Sequence, residues 1–412
     1  MIRIVSSSNP RDVERLLSAT HSRDRATDTG ASRIVEAVRN GGDAALRRFA
    51  KEFDGHDGPV EVPRRVWESQ ARTLPPGVRA AIKRAGASIR KVARRQVPKG
   101  WRLKVAPGIS VEQRVIPLAR VGCYVPAGRY PLPSSLLMTA IPARTAGVAE
   151  VVVACPRPDA AVFAAAIEAG VDRVFRIGGA HAIAALAYGT RTVPRVDKIV
   201  GPGNRWVSAA KSLVSSDCGI DFYAGPSEIL IVTATGSARW IAADLMAQAE
   251  HDPDARALFF TSNRRLAEQV AREVDRQMPA TGPARSSVAK HGGIVVCRNM
   301  DEAIALANQA ASEHLVVGTE RLARQAWNAG AVFVGDWTAQ VAGDYAIGSN
   351  HVLPTAGAAR FRGGLNAADF VKLVSVQRLT RPGLARIAKT ITTLARAEGL
   401  EGHARSIDVR IP

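Results

Sequence analysis

Glu150-Val-Val-Val-Ala-Cys155, Ala160-Ala-Val-Phe-Ala-Ala-Ala-Ile-Glu-Ala169, Arg173-Val-Phe-Arg-Ile177 and Ala180-His-Ala-Ile-Ala-Ala-Leu-Ala-Tyr188 follow one another with only short turns between them. The first and third runs are short and valine-bearing, as strands buried on both faces are; the second and fourth are alanine-rich and of helical length. Strands and helices alternating at this spacing imply βαβ crossovers and a parallel sheet. Outward from this stretch the alternation continues with strand 197–200, helix 205–213 and strand 219–223. A second series opens at Ala224-Gly-Pro-Ser-Glu-Ile-Leu-Ile-Val232. It passes through a helix ending near His251, strand 255–261, helix 263–277, strand 293–296, helix 301–310, strand 314–317, helix 320–328 and strand 331–334. The expected fold class is α/β: two Rossmann-like parallel α/β domains in series, with a helical N-terminal region over 26–95 and a C-terminal extension. That extension reads as helices at 367–372 and 384–397 and a last strand at 407–411. Ligands on such sheets sit beyond the carboxyl ends of the strands, which directs attention to the turns Gly178-Gly-Ala-His181 and Gly201-Pro-Gly-Asn204. The second resembles a GxGxxG start, but Trp206 stands where a third glycine would allow close helix packing. A plain strand-to-helix turn with Asn204 as N-cap explains it equally well.

The 412 residues are 46% hydrophobic, enough for a large core and for two or three domains. No stretch reaches the roughly 18 consecutive apolar residues of a membrane helix, and the first residues lack the layout of a secretory signal. A cytoplasmic protein with no membrane contact is expected. Cys123, Cys155, Cys218 and Cys297 form no CxxC pair, so neither a disulfide framework nor a thiolate metal site is indicated. The net charge of +19 is dispersed, without a basic block interleaved with aromatics, and this argues for no nucleic acid partner.

Residues able to carry chemistry gather at element junctions. Gln248-Ala-Glu-His-Asp-Pro253 closes a helix that Pro253 must end, so Gln248 and His251 share one face of its last turn. A histidine at a helix C-terminus is also explained by the helix dipole alone. His251, His314, His351 and His403 have acidic or amide neighbours, and Asp344 shares a loop with His351. Imidazole with carboxylate and no thiolate suits a zinc-type ion, for which His251, His351, His403 and Asp344 rank first on donor chemistry. Adjacent Glu313 and His314 suit a proton-transfer site.

Together with these residues, Tyr124-Val-Pro-Ala-Gly128, Pro133-Ser-Ser-Leu-Leu-Met-Thr-Ala-Ile-Pro-Ala143, Gly178-Gly-Ala180, Asp197-Lys-Ile-Val-Gly-Pro-Gly-Asn204 and Ala224-Gly-Pro-Ser-Glu228 form an ordered set. It continues through Gln248 to Pro253, Glu313-His-Leu315, Gly343-Asp-Tyr345, Asn350-His-Val-Leu-Pro-Thr355 and Glu398 to His403. In content and order these motifs resemble the histidinol dehydrogenases, over nearly the whole chain beyond the first two dozen residues. The resemblance implies oxidation of L-histidinol through L-histidinal to L-histidine, the last steps of histidine biosynthesis, with NAD used twice and one Zn2+ per subunit. Taking a primary alcohol to a carboxylate removes four electrons, which is why a two-electron acceptor is needed twice.

By position, the resemblance implies zinc on Gln248, His251, Asp344 and His403, so that Gln248 replaces His351 in the ranking from donor chemistry. Ser227, His351 and Glu398 become substrate contacts beside His314 and the metal ligands. His314 becomes the base and Glu313 the activator of water. Tyr124, His181 and Asn204 line the NAD site. A homodimer with an exchanged C-terminal segment is implied, in which His403 completes the site of the other subunit. The implied division is an N-terminal segment 1–25, a first α/β domain 26–119 plus 227–365, a second 120–226, and a dimerisation segment 366–412. This chain has His181 where the family has glutamine, Ala127 where glycine is common, and Ser312 and Ser349 where prolines are. A relative with the same machinery acting on a sulfonated diol, and a basic nucleic-acid-binding or interaction protein, are the alternatives. Glu398, suited to a cationic substrate end, speaks against the first, and the intact site residues against the second.

Overall fold

The computed structural model describes residues 2–18, 25–126, 132–223 and 225–411, and the alternation builds two six-stranded sheets. His21, Ala127 and Ala224 lie outside the described residues. In spatial order the first sheet runs Glu61–Val62, Arg173–Phe175, Glu150–Ala154, Arg120–Tyr124, Lys198–Val200, Gly219–Ile220, parallel except at the Glu61–Val62 edge. The second runs Ile4–Ser6, Gly293–Val296, Arg256–Thr261, Glu228–Val232, His314–Val317, Ala331–Val334 and is parallel throughout. Setting aside the edge strand that each sheet borrows from earlier in the chain, both have the order third, second, first, fourth, fifth. Each therefore changes winding direction beside its first strand.

Side-chain alternation along the strands sorts the core into layers. In the second sheet Ile229, Ile231 and Phe259 pack with helices Ala238–Ala249 and Arg264–Gln277, while Leu230, Val232 and Phe260 pack with Pro10–Leu17 and Met300–Ala310. In the first, Val121, Cys123, Val151 and Val153 face helices Pro76–Gln96, Pro133–Thr145 and Ala160–Ala169. Val152, Ala154 and Phe175 face Arg25–Asp54, Gly179–Tyr188 and Arg205–Val214. Burial of each such valine, leucine, isoleucine or phenylalanine side chain stabilises by roughly 1.5–3 kcal/mol, so both faces of both sheets have to be covered. All four cysteines are buried free thiols.

The C-terminal extension differs from its expected pattern. Residues 367–372 are not one helix: a single 3-10 turn at Ala367–Phe370 leads into strand Val371–Leu379. That strand pairs antiparallel with Ile109–Pro117, which pairs with Trp101–Ala106 in a third sheet. Helix Arg381–Ala397 follows, and the tail predicted as a strand at 407–411 is instead the end and exit of helix Glu401–Asp408. No described strand lies beside it, and the backbone N–H groups of Val409 and Ile411 donate within the helical turn.

Candidate functional site

The two sheets offer opposite ends to the candidate residues. On the first, Tyr124 closes its strand, Gly178 and Gly179 follow strand Arg173–Phe175, and Gly201 follows Lys198–Val200, so Tyr124, His181 and Asn204 lie at carboxyl ends. On the second, Glu228 and His314 are the first residues of neighbouring strands, with His314 opposite Ile229. Helix Ala238–Ala249 runs back from the far end of strand Glu228–Val232 and delivers Gln248 and His251 to the same side. The carboxyl-end expectation is thus corrected for the second sheet. Its carboxyl-end crevice, bordered by Thr233, Trp240, Asp244, Val317 and Asp336, encloses about 30 Å³, room for about one water.

Burial in that crevice raises the Asp244 carboxyl from 3.8 to about 6. A carboxyl whose pKa rises on folding opposes folding when ionised: the cost begins above the unfolded value and is complete above the folded one. Asp244→Asn is therefore expected to stabilise the chain by about 1–3 kcal/mol at pH 8, with the gain shrinking as pH falls through 6 toward 3.8. Urea midpoints at pH 8 and pH 4 check this; equal gains at both would contradict it.

At the amino ends of the second sheet, His314 Nδ1 donates to the Glu228 carbonyl at 3.0 Å. A carbonyl only accepts, so the neutral ring carries its proton on Nδ1 and its lone pair on Nε2. That Nε2 is buried without a hydrogen-bond partner, 3.8 Å from Asp344 Oδ1. Glu313 Oε2 lies 3.5 Å from His314 Nδ1 and accepts the Glu228 N–H at 2.8 Å. Burial disfavours the charged His314 ring, but the Glu313 and Asp344 carboxylates outweigh it and raise the pKa to about 10. Asp344 is held below the usual carboxylate range: burial pushes up, and His314, His351 and Gln340 together pull harder. Gln340 Nε2 donates to Asp344 Oδ2 at 2.8 Å.

His351 points Nδ1 at the backbone carbonyl of Asp344, 3.1 Å away, and has Ser135 Oγ 3.4 Å from Nε2. Burial lowers its pKa. Its loop is fastened to the other sheet's helices by Asn350, which donates to the Met138 carbonyl at 2.7 Å. Ser227 is half-buried just ahead of Glu228.

Gln248 is 1% exposed and its Oε1 is buried without a hydrogen-bond donor, an arrangement that costs roughly 1–3 kcal/mol unless something electropositive meets it. Its helix packs against Gln340–Tyr345, which carries Asp344. The orphaned Gln248 oxygen and the Asp344 carboxylate are oxygen donors of the kind a divalent cation takes. His251 is exposed one turn on, and Glu398 and His403 are exposed on the C-terminal helices. Among the described residues no three His, Cys, Asp or Glu side chains gather to hold a metal, so one chain does not assemble His251, Asp344 and His403.

The first-sheet turns are capped from within. Gly178 N–H donates to Asp54 Oδ2 at 2.9 Å and Gly179 N–H to the Tyr124 hydroxyl at 3.1 Å. His181 Nε2 donates to the same Asp54 oxygen at 2.8 Å, and its Nδ1 is buried without a partner. The helix N-terminus that would cradle a pyrophosphate in a dinucleotide fold thus has two of its donors taken by a carboxylate and a phenol. Asn204 caps helix Arg205–Val214, accepting from the Trp206 and Val207 N–H groups. Trp206 supplies the close helix approach in another way. Its ring lies over Gly30, where a Cβ would come within 2.6 Å.

Asp54, Ser135, Arg256 and Gln340 were not singled out from the sequence. Asp54 opens the polar stretch Asp54-Gly-His-Asp-Gly-Pro59, and an acid beside a glycine turn is a signal only once the Gly178 turn is known to face it.

A family model described as histidinol dehydrogenase matches residues 18–411. The chain is 49% identical over 387 residues to a histidinol dehydrogenase of Thermus thermophilus, covering 92% of this chain and 93% of the relative. It is 44% identical over 414 residues to one of Methylococcus capsulatus, covering 97% and 95%. A crystal structure of histidinol dehydrogenase from Elizabethkingia anophelis superposes with a TM-score of 0.94 at 29% identity, covering 100% of this chain and 98% of that one.

Proposed function

The chain belongs to the histidinol dehydrogenase family, and from that premise we propose a four-electron oxidation of L-histidinol, through L-histidinal, to L-histidine, with NAD and one zinc per subunit. The enzyme is an oxidoreductase of histidine biosynthesis. The observation that carries the residue assignment is the His314 ring, fixed at Nδ1 by Glu228 and bare at Nε2.

When bound, NAD supplies a two-electron acceptor, and zinc on Gln248, His251, Asp344 and the His403 of a second copy supplies a Lewis acid that fixes the substrate. Tyr124, His181 and Asn204 line the acceptor. Ser227 and His351 hold the substrate, His351 as a neutral ring, and Glu398 meets its ammonium end. Glu313 and Asp344 are the two carboxylates that keep a proton on His314; with Asp344 committed to zinc, the second would be offset and the ring favoured as a base. His314 Nε2 takes the hydroxyl proton as the carbinol C–H leaves with its electron pair, giving the aldehyde. Glu313 then draws a proton from water, whose oxygen adds to the aldehyde carbon. Once His314 has passed its first proton to solvent, the hydrate anion gives up a hydroxyl proton to the freed Nε2 and a second C–H pair, leaving the carboxylate.

The exposed apolar residues of the C-terminal arm and third sheet, Leu103, Val105, Leu373, Leu394 and Val409 among them, support a homodimer with an exchanged C-terminal segment. Four buried thiols support a reducing, cytoplasmic setting. No helix among the described residues is long and apolar enough to cross a membrane.

The test is stoichiometric. Purified, metal-quantified protein given limiting L-histidinol and excess NAD is expected to yield two NADH per histidinol, with histidine as product. One NADH per histidinol in the unsubstituted enzyme, or full turnover after zinc is removed by a chelator, would overturn the corresponding half of the reading.

A further inference from the structure

Glu228 has no part in the chemistry above except through its carbonyl, yet three segments of the site converge on it. It is 3% exposed at the start of its strand. Its Oε1 accepts from Arg256 Nη1 at 3.1 Å and from the backbone N–H of Ala356 at 3.2 Å. Its Oε2 accepts from the Glu313 N–H at 3.4 Å, while its own N–H returns to Glu313 Oε2. Arg256 also donates to the carbonyl of Leu16 in the first helix. One buried carboxylate thereby joins the proton-transfer pair, the N-terminal helix and the end of the loop that carries His351.

Ala356 makes the last contact informative. Its φ is +59°, and among the described residues the only other non-glycine residue with positive φ is Ala311, a helix C-cap. An L-residue in this region is strained and stays there only where its surroundings hold it. Hydrogen bonds that hold this turn to the Ser227 segment include Ala356 N–H on Glu228 and Gly225 N–H on Thr355 Oγ1.

We propose that Glu228 is a positioning residue that acts in two directions. Its carboxylate holds the His351 loop in the left-handed turn at Ala356, and together with its backbone N–H it sets the placement of Glu313 beside His314. Pairing with Arg256 alone does not account for the arrangement, because the remaining carboxylate contacts go to Ala356 and Glu313. The proposal rests on the reading that Glu313 and His314 carry the proton transfers.

The experiment compares Glu228→Gln, Ala356→Gly and the double variant, all in the zinc-loaded holoenzyme, by kcat, KM for L-histidinol and melting temperature. Glutamine keeps the shape but turns an amide NH₂ toward groups that are themselves donors. Glu228→Gln is expected to lower kcat and raise KM, each by about tenfold, as misplacement of a positioned group does. Glycine takes the turn without strain, so Ala356→Gly alone should leave both constants within about twofold. In the double variant KM should return to within about twofold of the unsubstituted enzyme while kcat stays low. If Glu228→Gln does not fold, Glu228→Asp retains a charge for Arg256 while withdrawing from Ala356, and the same recovery of KM by glycine is expected. A fall in melting temperature with both constants unchanged in the folded enzyme, or a raised KM that Ala356→Gly leaves in place, overturns the proposal. His314→Gln run alongside separates the two ideas: if it keeps full kcat, the proton-transfer reading fails, and recovery of KM still decides the role of Glu228 in the loop.

Discussion

Glutamine in place of His314 is expected to lower kcat for L-histidinol by about 10²–10⁴-fold, with KM changed much less, since a general base contributes to the transition state more than to binding. Glutamine offers no basic atom where Nε2 stood, so the loss reports the missing proton acceptor, and a melting temperature measured alongside separates it from a collapsed pocket. The same variant should slow oxidation of added L-histidinal, because both oxidations return a proton to one ring. Glu313→Gln divides the reaction instead. Its first oxidation is expected to proceed and its second to stall, so that NADH falls from two per histidinol toward one, with aldehyde captured by a carbonyl trap. Stopped-flow absorbance of NADH in the two variants checks both statements. A His314→Gln enzyme within tenfold of the unsubstituted kcat would remove the base assignment.

Mixing two inactive variants is expected to restore activity. His403 is exposed on helix Glu401–Asp408, and the described residues of one chain do not gather it with His251 and Asp344. If each site takes its His403 from the other chain, a dimer of one His403→Ala chain and one His314→Gln chain has a complete site built on the first chain and a doubly defective one on the second. Random reassortment makes about half the dimers mixed, so the equal mixture should recover about one quarter of full activity, from a starting value near zero. Partial unfolding and refolding of the mixed chains, followed by an NADH assay, reads the result. No recovery after verified exchange would place His403 in its own chain's site.

The alternating core was legible because a strand buried on two faces advertises itself locally: Val151, Val152 and Val153 need no knowledge of the rest of the chain. Strand Val371–Leu379 was not, since its partner Ile109–Pro117 lies far away in sequence and local pattern does not carry such a pairing. The N-terminal residues show the same limit, with Ile4–Ser6 becoming a strand only against Gly293–Val296. For the site, donor chemistry picked out His251, Glu313, His314, Asp344, His351 and His403 because acids and imidazoles at element junctions are scarce, and one chain brings Glu313, His314, Asp344 and His351 together. Donor chemistry also ranked His351 as a metal ligand. In the structure its Nδ1 meets the Asp344 carbonyl and its Nε2 faces Ser135, while Gln248 Oε1 has no partner, which supports the proposed exchange of the two. Asp54, Arg256 and Gln340 stayed hidden for the reason that hid the C-terminal strand: what each does is defined by a residue distant in sequence or by a fold around it.

The Gly178 turn, met by Asp54 and Tyr124, bears on the order of events in the proposed reaction, in which two NAD serve each substrate. The spent cofactor has to depart and a fresh one enter while a reactive aldehyde waits. An enzyme that gripped the dinucleotide by its pyrophosphate would make that exchange the slow step and lengthen the aldehyde's exposure. On the proposed reading, two donors of that turn are already taken by the protein, so retention falls to the substrate side, where His351 and its tethered loop sit. The proposed assignment thus gives the waiting intermediate and the exchanging carrier to different sheets.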